Sequence, residues 1–592
     1  MFPTHVNVQD EFTNTTGKDL GLLIYHETPV NFGQVTSSLL SGHERRGRQE
    51  DLTYPDYAPS TWFTDDTTGM GIVPTDDVFI IQAVPYVDWQ GAAGLATEQF
   101  AMAPGKSHTL QWAIYPTGSK DYYDFVNNFR RAENRIGTVT QAPGFITGTP
   151  HPPARRTLVD SDFMDKRNIQ VGIIHSLSEV ADDENLHVEG IELLRDYLLE
   201  MELIRRQVAG TQKAKPGFKV IQHIAHSIYT TSNTQQFTDS RVITADGSHA
   251  SWSDGSAFGK QRQSEGYRWW IFCPMPGNRF HEAMIGSIDT MMDRVGPGGA
   301  FMDGFLAGYG GMWTYDRWDD HCAVMDLASK TIKRKRASVM LLSQPSMVEY
   351  ARKVRAKGGM IVALHAVFTR TMCKENYILF ANESASGPEL HLAPTVAALG
   401  GNTGFGSERH IYLDILDKLR WGELYIHYTD GHQLTHRSLA SYQYPITFEE
   451  IRSGMVRGPE RIVTMNSGVY AWPGNNNLHA IHAFDQRGAP TANRFLTTAD
   501  STGVRTELDL HEYESAVIVQ IPASLDTASP VNTRVAAYDA DGLNMLLSGR
   551  GLATLKLKSG AFPLKSGSSY DVSINGTSAT VKAADDLLVI PL

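Results

Sequence analysis

Residues 298–305 read GGAFMDGF, and this short stretch decides the fold. Two glycines lead into the apolar run Ala300-Phe301-Met302, which ends at once in Asp303. An apolar run without alternation is the pattern of a strand buried on both faces. A carboxylate at its C-terminal end is where such a strand meets solvent. Seven further runs of this kind lie along the chain: NIQVGIIHS (168–176), FKVIQHIAHSIY (218–229), YRWWIFCPMPG (267–277), MIVALHAVF (360–368), NYILFANES (376–384), TVAALGG (395–401) and ELYIHYTDG (423–431). Helical patterns separate most of them: GIELLRDYLLEMELIRRQ, HEAMIGSIDTMMDRV, a long helix opened by TIKRKR and running through SVMLLSQPSMVEYARKVRAKG, and RHIYLDILDKLRWG; PITFEEIRSGM follows the last run. Eight buried strands alternating with helices predict a (β/α)8 TIM barrel, GGAFMDGF being its fourth strand. The fifth-to-sixth and sixth-to-seventh connections are short on helix, so a doubly wound sheet is the alternative.

The flanks read differently. Residues 1–150 contain alternating runs and turn signals, such as SHTLQWAIYP after APGK, and close on the helical DYYDFVNNFRRAENRI. They predict an N-terminal β-sandwich domain. A Pro-rich linker, TGTPHPPARR, precedes the barrel at 157–458, and short strands between Gly, Asn, Asp and Ser turns predict one or two C-terminal β-sandwiches at 459–592. A chain of 592 residues is too long for one core, in keeping with several domains.

Composition excludes more than it assigns. A net charge of −12 argues against a nucleic-acid binder. No apolar run is long enough for a membrane span. Three cysteines, Cys273, Cys322 and Cys373, with no CxxC pair, exclude a disulfide scaffold or zinc ribbon. The first residues, MFPTHVNVQDEF, show no signal-peptide pattern, and the expectation is a trimmed chain that works secreted or in a periplasm. No cofactor is expected.

A barrel places its chemistry at the C-terminal ends of its strands. Asp303 is the sharpest such residue, followed by the Gly- and aromatic-rich GFLAGYGGMWTYDRW. Glu383, in FANESAS, ends the sixth strand and supplies the second carboxylate that glycosidic cleavage needs. The expectation is a retaining glycoside hydrolase acting on a poly- or oligosaccharide, with Asp303 as nucleophile and Glu383 as acid/base. Expected substrate contacts are His175, His223, Trp270, Tyr309, Trp313, Trp318, Asp320, His321, His365, Glu408, Asp430 and His432, chosen as strand-end groups or as aromatics that stack on sugar faces. Glu408 also reads as a charge at a helix N-terminus. His223 and His226 are three apart, hence on opposite faces of one strand. The acidic segment TYDRWDDHCAVMD lacks EF-hand spacing and reads as a solvated loop, and TIKRKR (331–336) as a solvated helix face.

The strand ending in Asp303, the WDDH stretch and IKRKRASVMLLSQPSMVEYARKV together resemble the barrel domains of a family of predicted glycoside hydrolases from bacterial polysaccharide degraders. The resemblance covers about 295–475. Phe301-Met302-Asp303-Gly304 stands where that family carries a Tyr-Trp-Asp-Glu-like motif, so the Asp carries over and the Glu does not. Asn382-Glu383-Ser384 matches its Val-Glu-Thr-like sixth strand, and VRGPERIVTMNSGVYAWPG its first C-terminal sandwich strands. The layout is similar to that of dextranases and endo-α-N-acetylgalactosaminidases, which implies a retaining enzyme. Two rivals stand beside this reading. A metal-dependent, amidohydrolase-like hydrolase would use His175, His223, His365 and Asp430, but no HxH pair ends the first strand. A non-catalytic carbohydrate-binding protein would also suit the flanking β domains.

Overall fold

The computed structural model describes the chain except for residues 1–3, 32, 45–46, 49–57, 89–90, 146–160, 175–208, 210–211, 214, 253–262, 265, 295–297, 305–311, 365–367, 383–386, 402–405, 429–431, 539–541, 559–563, 575–576, 585–586 and 592. It falls into two compact units: 1–164 with 169–404 and 425–431, and 165–168 with 405–424 and 432–592.

At the centre of the first unit is a parallel sheet of eight strands. In order around the sheet they are Pro143–Phe145, Val171–Ile174, Lys219–Ala225, Gly299–Asp303, Met360–Leu364, Leu379–Asn382, Ala397–Leu399 and Leu424–Ile426. A parallel bridge between Gly144 and His427 joins the first strand to the last and closes the barrel. There the Phe145 N–H donates to the His427 carbonyl at 2.8 Å. Phe145 then packs edge-to-face on Phe301 of the fourth strand and on Tyr428, with centroids 5.4 and 4.5 Å away.

The eight-strand expectation holds, with two members corrected. YRWWIFCPMPG is not a barrel strand. Arg268–Ile271 pairs antiparallel with Ile228–Thr231 and Ser251–Trp252 in a small sheet between the third and fourth barrel strands. Its side chains alternate in burial, with Trp269 and Ile271 inside and Arg268 exposed, as in a sheet packed on one side only. The missing member is Pro143–Phe145, three residues beside a Pro-rich stretch, too short to show any periodicity. NIQVGIIHS is accordingly the second strand, and Asp303 still ends the fourth.

The glycines before Asp303 are a packing requirement. A Cβ at Gly298 would meet the Val220 carbonyl oxygen at 1.6 Å, and one at Gly299 the Met360 carbonyl oxygen at 1.9 Å. The fourth strand thus enters the barrel with its backbone against both neighbours. Gly299 also sits at φ +139°, where other residues are strained.

Helices Arg279–Arg294 and Val339–Ala356 flank the fourth strand in sequence, as the patterns predict. TIKRKR does not open the second of them. Thr331–Lys335 is a strand paired with Ala323–Asp326, and the helix starts behind Ser338, whose hydroxyl accepts from the Leu341 N–H. Among the described residues, a four-residue helix, Arg370–Cys373, follows the fifth strand and a 3-10 turn at Pro388–Leu390 follows the sixth. PITFEEIRSGM is not helical either: Glu450–Arg452 and Met455–Arg457 form a hairpin.

Before the barrel the chain forms two antiparallel sheets. One runs Val6–Thr13, Ser107–Thr117, Gly69–Pro74, Thr61–Thr64, Ser37–Leu40, His43–Glu44; the other runs Leu20–Pro29, Ala92–Met102, Val84–Val87, Gly47–Arg48. One core draws Ile72 and Leu110 from the first sheet and Ile24, Leu95 and Phe100 from the second. DVFIIQ joins this core as the helix Asp77–Gln82, capped by the Asp76 carboxylate on the Phe79 N–H at 2.9 Å and buried over most of its surface. In the second unit, an eight-stranded and a five-stranded antiparallel sheet share a core that includes Leu478 and Ile521 from one and Ala499 and Val531 from the other.

Two glycine substitutions test the packing. Gly299→Ala should destabilise by about 3 kcal/mol or more, from overpacking at a positive φ. Gly286→Ala, on an exposed helical site with open space around its Cβ, should stabilise by roughly 0.5–1 kcal/mol. Urea unfolding midpoints of both variants check the pair, and equal shifts would refute the close approach at Gly299.

Candidate active site

Asp303 is the half-buried last residue of the fourth barrel strand, in register with Ala225 at the end of the third. Gly304 follows it at φ +62°. The turn behind Asp303 therefore takes a left-handed conformation that a glutamate would adopt only under strain, a backbone reason for the missing second carboxylate.

His226 lies immediately beyond the third strand, next to Asp303. The strand ends at Ala225, so the opposite-faces argument for His223 and His226 does not reach His226. Its side chain is 2% exposed. Burial pushes the imidazole down to about 4; the Asp303 charge and a hydrogen bond from the ring to the Asp303 backbone pull the other way without overcoming it. Near neutral pH the ring is uncharged, so what His226 offers Asp303 is a polar rather than a cationic neighbour. At the eighth strand His427 is likewise buried, its ring edge-to-face with Tyr425 at 5.0 Å.

The other expected site residues distribute as follows. His175, Tyr309, His365, Glu383 and Asp430 lie outside the described residues, as does the side chain of His223. Trp270 is on the small antiparallel sheet, its ring stacked on His249 at 4.6 Å. Trp313 and Trp318 each have a ring face covered by a cation: the Arg336 guanidinium is 3.8 Å from the Trp313 centroid and Lys335 Nζ 3.9 Å from that of Trp318. The basic run is thus interleaved with the aromatics rather than solvated on a helix. Asp320 sits in a turn at φ +66°. The His321 ring lies 4.5 Å from His108, while its carbonyl accepts from Gln82 Nε2 and the Ala101 N–H at 2.8 and 3.0 Å. Asp319 organises this loop, accepting from the N–H groups of His321, Cys322 and Ser338 at 2.7–2.9 Å.

In the second unit, Glu408 opens the helix Glu408–Arg420 behind its Ser407 cap, as its position predicts. Its carboxylate accepts from the Thr435 hydroxyl at 2.8 Å. Burial raises that carboxyl, but Thr435 and the nearby His436 outweigh it and hold it below the usual glutamate range. The His432 carbonyl accepts from Arg167 Nη2 at 2.6 Å. Cys273, just beyond the small antiparallel sheet, is fully buried, and burial pushes its thiol up to about 12, leaving it protonated.

Two residues absent from the sequence-based set enter near the sixth strand. Glu389, in the 3-10 turn, lies 3.6 Å from His43 Nε2 and accepts from Asn382, the strand's last residue, at 3.4 Å. The Gly-Pro-Glu order at 387–389 is the only local signal, a proline at the start of a turn followed by an acid.

No protein-family model matches the chain, and no curated protein does. Among solved structures it is similar to the galactosidase domain of an alpha-galactosidase–sucrose kinase, at 9% identity over 88% of this chain and 79% of that one, with a TM-score of 0.45. It is similar also to the alpha-galactosidase from Lactobacillus brevis (8% identity, 88% and 78% covered, TM-score 0.45) and to a xylosidase from Aspergillus niger (11%, 87% and 80%, 0.41). Fold likeness of this degree leaves the reaction to be argued from the site.

The buried histidine has a pH signature. Its folded-state pKa lies below its unfolded value of 6.5, so the unfolded chain binds more protons between pH 6.5 and about 4. Stability is complete above pH 6.5 and is lost as the pH falls toward 4, by roughly 3 kcal/mol for this one residue. Melting temperatures from pH 7 to 4.5 should fall, and more steeply in the wild type than in His226→Gln. Parallel curves would mean that His226 is not buried neutral.

Proposed function

We propose that this chain is a glycoside hydrolase that cleaves a poly- or oligosaccharide with retention of anomeric configuration, Asp303 acting as nucleophile and Glu383 as acid/base. The observation that carries the reading is the position of Asp303: a half-buried carboxylate at the C-terminal end of the fourth strand of a closed parallel barrel, beside a neutral imidazole. In parallel barrels that end of the strands is where catalysis takes place. A nucleophilic carboxylate must be ionised and must not be tied up by a cation, and His226, uncharged down to about pH 4, meets the second condition from its side of the residue.

The chemistry runs in two steps. The Asp303 carboxylate attacks the anomeric carbon as the glycosidic C–O bond breaks, and the Glu383 carboxyl gives its proton to the leaving oxygen. Glu383, now a carboxylate, takes a proton from water. The resulting hydroxide attacks the same carbon, which frees Asp303 and restores the protonated glutamic acid. Glu383 follows Asn382 in the chain, so the reading puts it just past the end of the sixth strand. Trp313 and Trp318, both only partly buried, are the proposed sugar platforms. A polymeric substrate fits an enzyme that is secreted or periplasmic.

Asp303→Asn and Glu383→Gln should each lower kcat on aryl glycosides at least ~10³-fold without loss of fold. With Asp303→Ala, added azide should restore turnover and give the glycosyl azide of inverted configuration. Full activity in Asp303→Asn would remove that residue from catalysis.

A further inference from the structure

The five-stranded sheet of the second unit runs Gly468–Ala471, Gly503–Leu508, Phe495–Asp500, Val531–Tyr538, Leu543–Gly549. Side chains along its strands alternate between two faces. Ala499, Val504, Leu508 and Val531 are buried on the inner one. The outer face carries a row that crosses all five strands. Val469 pairs with Glu507, and Glu507 with Leu496. Leu496 comes opposite Arg534, one step beyond the pair of Thr497 and Thr533, and Arg534 pairs with Leu546. The row therefore reads valine, glutamate, leucine, arginine, leucine. Val469, Leu496 and Leu546 are 65, 50 and 63% exposed, and Glu507 and Arg534 are exposed between them.

A single exposed leucine is ordinary, but three aliphatic side chains in one line across a sheet form a patch that points to a partner. The charges between them say which partner fits. Among the described residues, neither Glu507 nor Arg534 is held in an ion pair. The Arg534 guanidinium lies 5.6 Å from the centroid of the Phe495 ring, a contact that leaves its N–H groups for a carboxylate. About Leu496 the row is symmetric in apolar character and opposite in charge. A second copy, turned face down about a two-fold axis that runs along the strands above Leu496, brings Leu496 onto its own counterpart. Val469 then meets Leu546 of the partner subunit, and Glu507 meets Arg534 of the partner subunit, each contact occurring twice. A two-fold axis along the row would instead set Glu507 on its own copy, so the charges select the first. The adjoining row obeys the same operation. It runs Ala471, Arg505, Thr498, Asn532, Ser548. Arg505, already paired with Asp500, comes to face Asn532 of the partner subunit, and no like charges meet in either row.

Five strands about 4.8 Å apart, each with about six residues rising ~3.4 Å apiece, make a face of roughly 500 Å². Two such faces bury about 1,000 Å² in total, the low end for a specific association, which sets the expected Kd in the micromolar range.

We propose that this outer face joins two copies of the chain in a two-fold dimer, with Leu496 on the axis and a Glu507–Arg534 ion pair on each side of it. The dimer is independent of the reaction assigned to the barrel.

Sedimentation velocity of the full chain, from about 1 to about 300 μM, should show a shift from monomer to dimer. Glu507→Arg sets two guanidinium groups against each other and Arg534→Glu two carboxylates, and each should weaken association at least ~10-fold. Combined, the two changes exchange the partners of the pair and should return Kd to within about threefold of the wild type. Leu496→Lys, with two ammonium groups on the axis, should leave only monomer. All three positions are exposed, so melting temperatures of the dilute variants should stay within about 2 °C of the wild type. A wild type that remains monomeric throughout overturns the proposal and leaves the face to a different partner. A dimer that survives Leu496→Lys is held by another surface, and a double variant as weak as the singles removes the ion pair; either result also overturns it.

Discussion

An eight-stranded parallel sheet has two raw edges unless its first and last strands pair, and here that pairing rests on a very short stretch of backbone. Gly144 bridges His427, and the Phe145 N–H donates to the His427 carbonyl at 2.8 Å. Closure removes both edges and turns the ends of eight strands into one ring. Phe145 adds side-chain contact at the same point, lying against Phe301 and Tyr428. Once the ring closes, Asp303 and His226 face a common mouth because their strands are neighbours in register, whatever the distance between them in sequence.

The ring is braced by buried guanidinium groups that donate to backbone carbonyls. Arg130, on the helix Tyr122–Ala132, is fully buried, and burial pushes its guanidinium down to about 9. It donates through Nε to the Ala393 carbonyl and through Nη2 to that of Pro394, both at 3.1 Å. Arg135 donates through Nη1 to the carbonyls of Phe368 and Leu392 at 3.1 and 2.9 Å. Four carbonyls around the fifth-, sixth- and seventh-strand connections thus find donors in the helix that precedes the barrel and in the segment just after it. This answers the shortage of helix there: where a crossover helix would satisfy its own backbone, a loop must borrow donors, and two arginines supply them. Removing either side chain would take those donors from the two carbonyls it serves.

How much of this the sequence discloses depends on how local each signal is. GGAFMDGF shows its strand, its glycines and its carboxylate within eight residues, and the structure keeps all three roles of position. The first barrel strand is hidden because Pro143–Phe145 is too short to carry a pattern and is defined by a partner almost 300 positions away. RWWI misleads for the opposite reason, its apolar content outweighing an alternation visible only once its partners are known. The cations over Trp313 and Trp318 come from a strand, and a basic run reads equally well as a helix face. His226 and Glu389 draw their character from burial and from residues of other elements, which no spacing rule reports.

The central claim, a covalent role for Asp303 at the end of the fourth strand, is tested most directly by trapping the intermediate. A 2-deoxy-2-fluoro glycoside of the sugar that the enzyme cleaves slows both steps, and with a good leaving group it lets the glycosyl-enzyme accumulate. Mass spectrometry of the proteolysed protein should then find one fluorosugar on the peptide containing Asp303, localised to that residue. A label on a different carboxylate, or turnover with inverted products and no trapped adduct, would contradict it.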